Sequence, residues 1–150
     1  MKIGTIVVPT DFSESARHAL DYAIRFAKPL DAEIVLVFVE GIFTYGVSGD
    51  LMGTAAAVRF FEEQRRLANR QLARLQSRIE KRGLRCRAIF TKGIPSQAIG
   101  ETARRLGADL IVMSTHGRTG LSHLVMGSVA EKVVRSAPCP VLTVRGPRGS

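Results

Sequence analysis

The stretch "DLIVMSTHGRTGLSHLVMGSVAEK" (Asp109–Lys132) joins three unlike segments. An apolar, branched run ends at Ser114, a glycine-rich segment follows, and "GSVAEK" reads as the start of a helix. A continuous apolar run of this length matches a strand buried on both faces. Ser128 and Glu131 have the S-x-x-E spacing of a capping box, which predicts a helix beginning just after Gly127. Strand, glycine turn and helix in that order make one half of a βαβ unit.

The same grammar extends outward. Four more apolar runs precede or follow: Lys2–Val8, Glu33–Val39, Cys86–Thr91 and Pro140–Val144. Between them lie helical stripes. Ala16, Ala19, Leu20, Ala23, Ile24 and Ala27 form the first, and Phe61, Ala68, Leu72, Leu75 and Ile79 form the second, between Arg59 and Arg82. A third helix is expected from Pro95, a favoured first-turn residue, to just before Gly107. Alternating strand and helix predict an α/β fold: one doubly wound domain over residues 1–150, with a parallel five-stranded sheet and helices on both faces. Residues 146–150 read as a flexible tail. The exception is Glu40–Ala57, a glycine-rich connection that reads either as a binding lid or as a surface loop.

Bulk properties narrow the class. Of 150 residues, 45% are hydrophobic and 23% charged, and 22 basic against 13 acidic residues give +9. This surplus points to an anionic partner without naming it. No apolar run approaches the ~20 residues of a membrane span. "MKIGTIVVPTD" reads as a first strand rather than a signal peptide. Two isolated cysteines, Cys86 and Cys139, make neither a metal site nor a disulfide framework, so a reduced, cytoplasmic protein is expected.

Ligands of doubly wound sheets bind beyond the carboxyl ends of strands, where the strand order reverses. That selects Pro9–Ser13, the segment after Glu40, and Ser114–Gly120. Gly117, Gly120 and Gly127 can hold positive φ or let backbone approach a ligand closely. With a helix N-terminus and Arg118 and Lys132 nearby, they could form a nest of N–H groups for a phosphate. The other reading is ordinary turn glycines with Ser128 as a plain cap. The spacing is neither G-x-x-x-x-G-K-[ST] nor G-x-G-x-x-G. Asp11 is similarly ambiguous: it could cap the first helix with Glu14, or Ser13 could cap and leave the carboxylate for a ligand.

"VVPTDFSESA", "THGRTG", "APCPVLTV" and the Gly117-x9-Gly127-Ser128 spacing resemble the universal stress proteins. Their ATP-binding members carry G-x2-G-x9-G-[S/T] after the fourth strand. The resemblance spans nearly the whole chain, with Ser114 in place of the first glycine. It implies strand order 3-2-1-4-5, ATP between the first and fourth strands with Mg²⁺ through the phosphates, and homodimers joined through Val141, Leu142, Thr143 and Val144. Carried over by position, Pro9, Thr10 and Asp11 would line the adenosine end and Val39 would offer backbone to the adenine. Met113 and Ser114 would flank the ribose, and Gly117, Gly127, Ser128 and Val129 would hold the phosphates, with Arg118 adding charge. Were the first glycine needed for positive φ, Ser114 would weaken binding.

No catalytic residue is predicted. His116 and His123 lack a neighbouring acid, and the turn has no P-loop lysine or paired carboxylates, so at most slow ATP hydrolysis is expected. The resemblance leaves a second possibility, a nucleotide-independent adaptor module of the same fold. The arginine-rich second helix reads as a solvated face, with a nucleic-acid surface the sharper alternative. Lacking interleaved aromatics, that alternative is not favoured.

Overall fold

The structure is a computed structural model of the chain. It describes residues 2–41, 49–117 and 126–147. Five strands, β1 (Thr5–Pro9), β2 (Glu33–Glu40), β3 (Cys86–Lys92), β4 (Leu110–Ser114) and β5 (Val141–Val144), form one parallel sheet of order β3-β2-β1-β4-β5. The helices are α1 (Glu14–Leu30), α2 (Ala55–Glu80), α3 (Pro95–Leu106) and α4 (Ser128–Ser136).

Side-chain alternation divides the core between the two sheet faces. Ile6, Val8, Ile34, Leu36 and Phe38 pack with Ala19, Leu20 and Ala23 of α1 and with Ala68, Leu72 and Ile79 of α2. Val7, Val35, Val37, Ile111 and Met113 pack on the other face with Ile99 and Ala103 of α3 and Ala130 and Val133 of α4. The predicted two-sided doubly wound arrangement and strand order are those observed.

Helix ends follow local chemistry. Ser13 caps α1, its Oγ accepting the Ala16 N–H at 3.1 Å. Thr54 caps α2 in the same way, accepting from Ala57 at 3.1 Å. That cap starts α2 four residues before the Arg59 boundary read from the stripe. The connection after Glu40 is therefore shorter than expected. It also holds a short 3-10 turn at Gly49–Leu51. Gly107 ends α3 in the left-handed conformation at φ 60°, where a Cβ would be strained. The expected boundary at Gly127 is met, but the cap is Gly127 itself, and no side chain caps α4. Ser128 is the first helical residue, so the S-x-x-E capping box does not form.

Two charged clasps fix the sheet. The Asp109 carboxylate accepts from the Gly4 and Thr5 N–H groups at 2.8 and 3.0 Å, tying the start of β4 to β1. Glu40, buried at the end of β2, accepts from Arg65 Nε through both oxygens at 3.0 Å and lies 3.9 Å from Lys92 Nζ. This pair pins α2 to the carboxyl edge of the sheet.

Candidate functional site

The β1/β4 ladder is short. Its paired residues are Ile6↔Leu110 and Val7↔Ile111, whereas β1 pairs with β2 from Thr5 to Pro9. β1 and β4 therefore part toward their carboxyl ends. This is also where the strand order reverses, the topological switch point at which doubly wound sheets bind their ligands.

One wall is the turn after β1. Thr10 is buried and donates its N–H to the Val37 carbonyl at 2.8 Å. Its Oγ1 accepts from the Phe12 N–H at 3.0 Å. Asp11 Oδ1 accepts from the Ser13 N–H at 2.9 Å. The ambiguity at Asp11 resolves as a division of labour: Ser13 caps the helix, and Asp11 makes an Asx turn beside it. Phe12 sits at φ 65°, an uncommon conformation for a bulky residue. Its ring stacks on Phe38 at 5.1 Å, and Phe38 in turn meets Phe90 at 5.4 Å. The aromatic stack and the two side-chain acceptors hold this strained turn in place.

β2 supplies the floor beyond β1. The Val37 carbonyl points toward β1, and the Glu40 carbonyl accepts from Gly93 on the β3 side. Backbone direction alternates along a strand, so the N–H and C=O of Val39 face the crevice, past the end of β1.

The other wall is the turn after β4. Met113 is buried, and Ser114 pairs with Val144 as a regular strand residue. Ser114 is not among the positive-φ residues, so its Cβ causes no backbone strain. Its Oγ donates to the His116 carbonyl at 2.8 Å. His116 Nδ1 lies 2.9 Å from Thr115 Oγ1. Gly127 donates its N–H to the Thr115 carbonyl at 2.7 Å.

The glycines act through clearance rather than through left-handed backbone. Gly127 has φ −62° and ψ 151°, a conformation open to any residue. A Cβ there, however, would lie 3.0 Å from the Thr115 carbonyl oxygen. A Cβ on Gly117 would lie 3.0 Å from Asp11 Oδ2. Gly117 therefore brings the two walls together, and Gly127 lets the α4 N-terminus close against the β4 turn. Ser128 and Val129 sit in the first turn of α4, whose leading N–H groups receive no side-chain cap among the described residues. Those donors and the helix dipole favour an anion. Arg118, Gly120 and His123 lie outside the described residues.

Sequence reasoning missed Phe12, Thr115 and Glu40. Their roles depend on partners distant in the chain or on a backbone angle. A charged residue directly after an apolar strand was the one available signal for Glu40. No group of three or more His, Cys, Asp or Glu side chains is placed to hold a metal among the described residues. No helix among them is long and apolar enough to cross a membrane.

A five-stranded parallel sheet of order β3-β2-β1-β4-β5 with helices on both faces belongs to the doubly wound class of α/β folds, whose ligands bind at the switch point. Comparison with known sequences narrows this. The sequence model of the universal stress protein family matches residues 2–145, and the chain belongs to that family. Universal stress protein MJ0531 of Methanocaldococcus jannaschii is 35% identical over 144 residues, covering 95% of this chain and 82% of that one. MJ0577 of the same organism is 31% identical over 151 residues, covering 93% of each. The solved structure of MJ0577 superposes with a TM-score of 0.88 over 99% of this chain and 100% of that one, at 27% identity in that alignment. An Arabidopsis thaliana family member solved with AMP bound shares the fold at 20% identity and TM-score 0.69, covering 97% of this chain and 93% of that one.

Proposed function

We propose that this chain is a cytoplasmic, homodimeric regulatory protein of the stress response that binds ATP in the β1/β4 crevice. The observation that carries this reading is the pair of 3.0 Å clearances at Gly117 and Gly127, which bring the Asp11 turn and the α4 N-terminus to the mouth of one crevice. The polar groups fit a nucleotide: outward-facing backbone at Val39, a carboxylate acceptor at Asp11, and the leading helix N–H donors at Ser128 and Val129. Pro9, Thr10 and Asp11 are assigned to the adenosine end, with Val39 backbone reading the adenine. Met113 and Ser114 flank the sugar. Gly117, Gly127, Ser128 and Val129, with Arg118, receive the phosphates. The AMP bound by the Arabidopsis relative agrees with an adenylate ligand.

Mg²⁺ would neutralise phosphate charge when bound. Magnesium keeps few protein ligands in such sites, so its protein contacts are minor in this reading. The chain's own residues bind and orient rather than catalyse. His116 is turned to Thr115, its Nδ1 2.9 Å from Thr115 Oγ1. Any hydrolysis is slow in this reading, because the turn carries no P-loop lysine and no paired carboxylates.

Calorimetric titration of nucleotide-stripped protein with Mg-ATP tests the site. Saturable micromolar binding, lost in Gly127→Val, is the expected result. Absence of binding by the wild type at high micromolar ATP would leave a nucleotide-independent adaptor. The dimer rests on β5, which is an edge strand with Val141, Leu142 and Thr143 half-buried. Pairing with a second copy would cover its open backbone groups. Light scattering that finds only monomer at working concentrations would remove that part.

A further inference from the structure

We propose that the groove between α1 and α2 is a docking site for an acidic amphipathic helix of a partner protein. The groove encloses about 100 Å³, and its floor is aliphatic: Leu20 and Ile24 from α1, Leu75 and Ile79 from α2. A cavity of about 150 Å³ in a protein core can take benzene, so this space suits one aliphatic side chain. Around the floor stand Arg17, Arg78 and Arg82, opposed by a single carboxylate, Asp21.

The arginines continue beyond the groove. Arg66, Arg70, Arg74, Arg78 and Arg82 recur every four residues along α2 and past its end, and all are exposed. Arg66 pairs with Glu63 at 3.1 Å. Arg59/Glu63 and Glu62/Arg66, which are spaced i, i+4 on the same helix, form no ion pair. Arg17, Arg70, Arg74, Arg78 and Arg82 make no ion pair among the described residues. The positions three and four residues from Arg70, Arg74 and Arg78 hold no acid. Like charges so spaced on a helix repel one another, and an acidic partner relieves that repulsion.

The combination selects the occupant. An apolar floor ringed by unpaired guanidinium groups complements aliphatic side chains flanked by carboxylates, the pattern of an amphipathic helix laid in a groove. A nucleic-acid backbone brings phosphates but no aliphatic group for the floor. A second copy docked face to face at this groove would set the same arginines against one another, which leaves the β5 edge as the place for a dimer.

The test uses a fluorescein-labelled synthetic helix of roughly 15 residues, with leucines at i, i+4 spacing flanked by glutamates. It is titrated into the full chain and followed by anisotropy. Three further measurements accompany it: the same peptide with leucines replaced by serines, a thymidine oligonucleotide of equal charge, and three protein variants. These are Arg17→Glu/Arg78→Glu/Arg82→Glu, its glutamine counterpart, and Arg104→Glu/Arg105→Glu on α3 as a charge-reversal control away from the groove. Circular dichroism checks that each is folded. Expected are saturable binding of the leucine peptide, a loss of about tenfold or more in both groove variants, and little change in the α3 control. The serine peptide should bind at least about tenfold more weakly. Equal affinity for the serine peptide, tighter binding of the oligonucleotide with the same arginine dependence, equal loss in the α3 control, or no saturable peptide binding would each overturn the proposal.

Discussion

Gly127 donates its N–H to the Thr115 carbonyl at 2.7 Å, and a Cβ on Gly127 would lie 3.0 Å from that same oxygen. One contact thus sets how closely α4 approaches the β4 turn. The obstacle is backbone, which cannot swing aside. Gly127→Ala should push the α4 N-terminus away, destabilising the fold by about 1–3 kcal/mol. Mg-ATP affinity should fall by about tenfold or more, because donor positions shift at the anion site. Urea denaturation and calorimetry measure the two effects. Wild-type affinity in the alanine variant would show that clearance at Gly127 plays no part in binding.

Gly117 meets a side chain instead. Its added Cβ would approach Asp11 Oδ2 at 3.0 Å, and a carboxylate can rotate away. Gly117→Ala should therefore cost less than Gly127→Ala, and its effect should depend on Asp11. A double-mutant cycle with Asp11→Ala is expected to show a coupling of roughly 0.5–3 kcal/mol. Strict additivity would mean that the two walls do not touch in solution.

Ser114, where the resemblance to the family's glycine motif expects a glycine, occupies regular strand backbone, and its Oγ donates to the His116 carbonyl at 2.8 Å. Ser114→Gly removes that bond and adds freedom to the unfolded chain. The expected result is a stability loss of about 1 kcal/mol and no gain in Mg-ATP affinity. A severalfold gain would show that the serine obstructs the sugar.

Glu40 is 8% exposed and held by Arg65. Arg65→Met leaves that carboxylate buried with only Lys92 nearby, at 3.9 Å. Arg65 itself is partly exposed, so the loss should be about 1–3 kcal/mol. Glu40→Gln/Arg65→Met should cost less than Arg65→Met alone, because no unpaired charge remains. Chemical denaturation of the three proteins decides the order.

Burial pushes the Cys86 thiol up to about 12 from an ordinary 9.0, with Glu80 and Glu33 adding to the rise. The unfolded thiol ionises first. Stability from this group is therefore complete below about pH 9 and is lost as pH rises toward 12, by at most ~1.4 kcal/mol per unit. Relative to Cys86→Ala, the wild type should lose stability between pH 9 and the highest pH at which unfolding is reversible. Parallel curves would contradict the assignment. Cys139 is also raised, by its own burial and by Asp109, but is less buried, so a thiol reagent should modify it before Cys86.

The strands, the helix stripes and the α/β class were legible in the chain because they rest on local periodicity: the branched run Leu110–Met113 and the alanine-leucine face of α1 specify element type within a few neighbours. The family motif placed attention on Gly117, Gly127 and Asp11 for the same reason. Partners distant in sequence were not legible. Only the packed sheet brings Asp11 to Gly117, turns Phe12 to φ 65° against Phe38, and buries Glu40 on Arg65. It also selected close approach over left-handed backbone at Gly117 and Gly127, and put a glycine cap where a serine cap was expected. Periodicity is a property of short segments, whereas clearance and ion pairing belong to surfaces that meet only once the chain has folded.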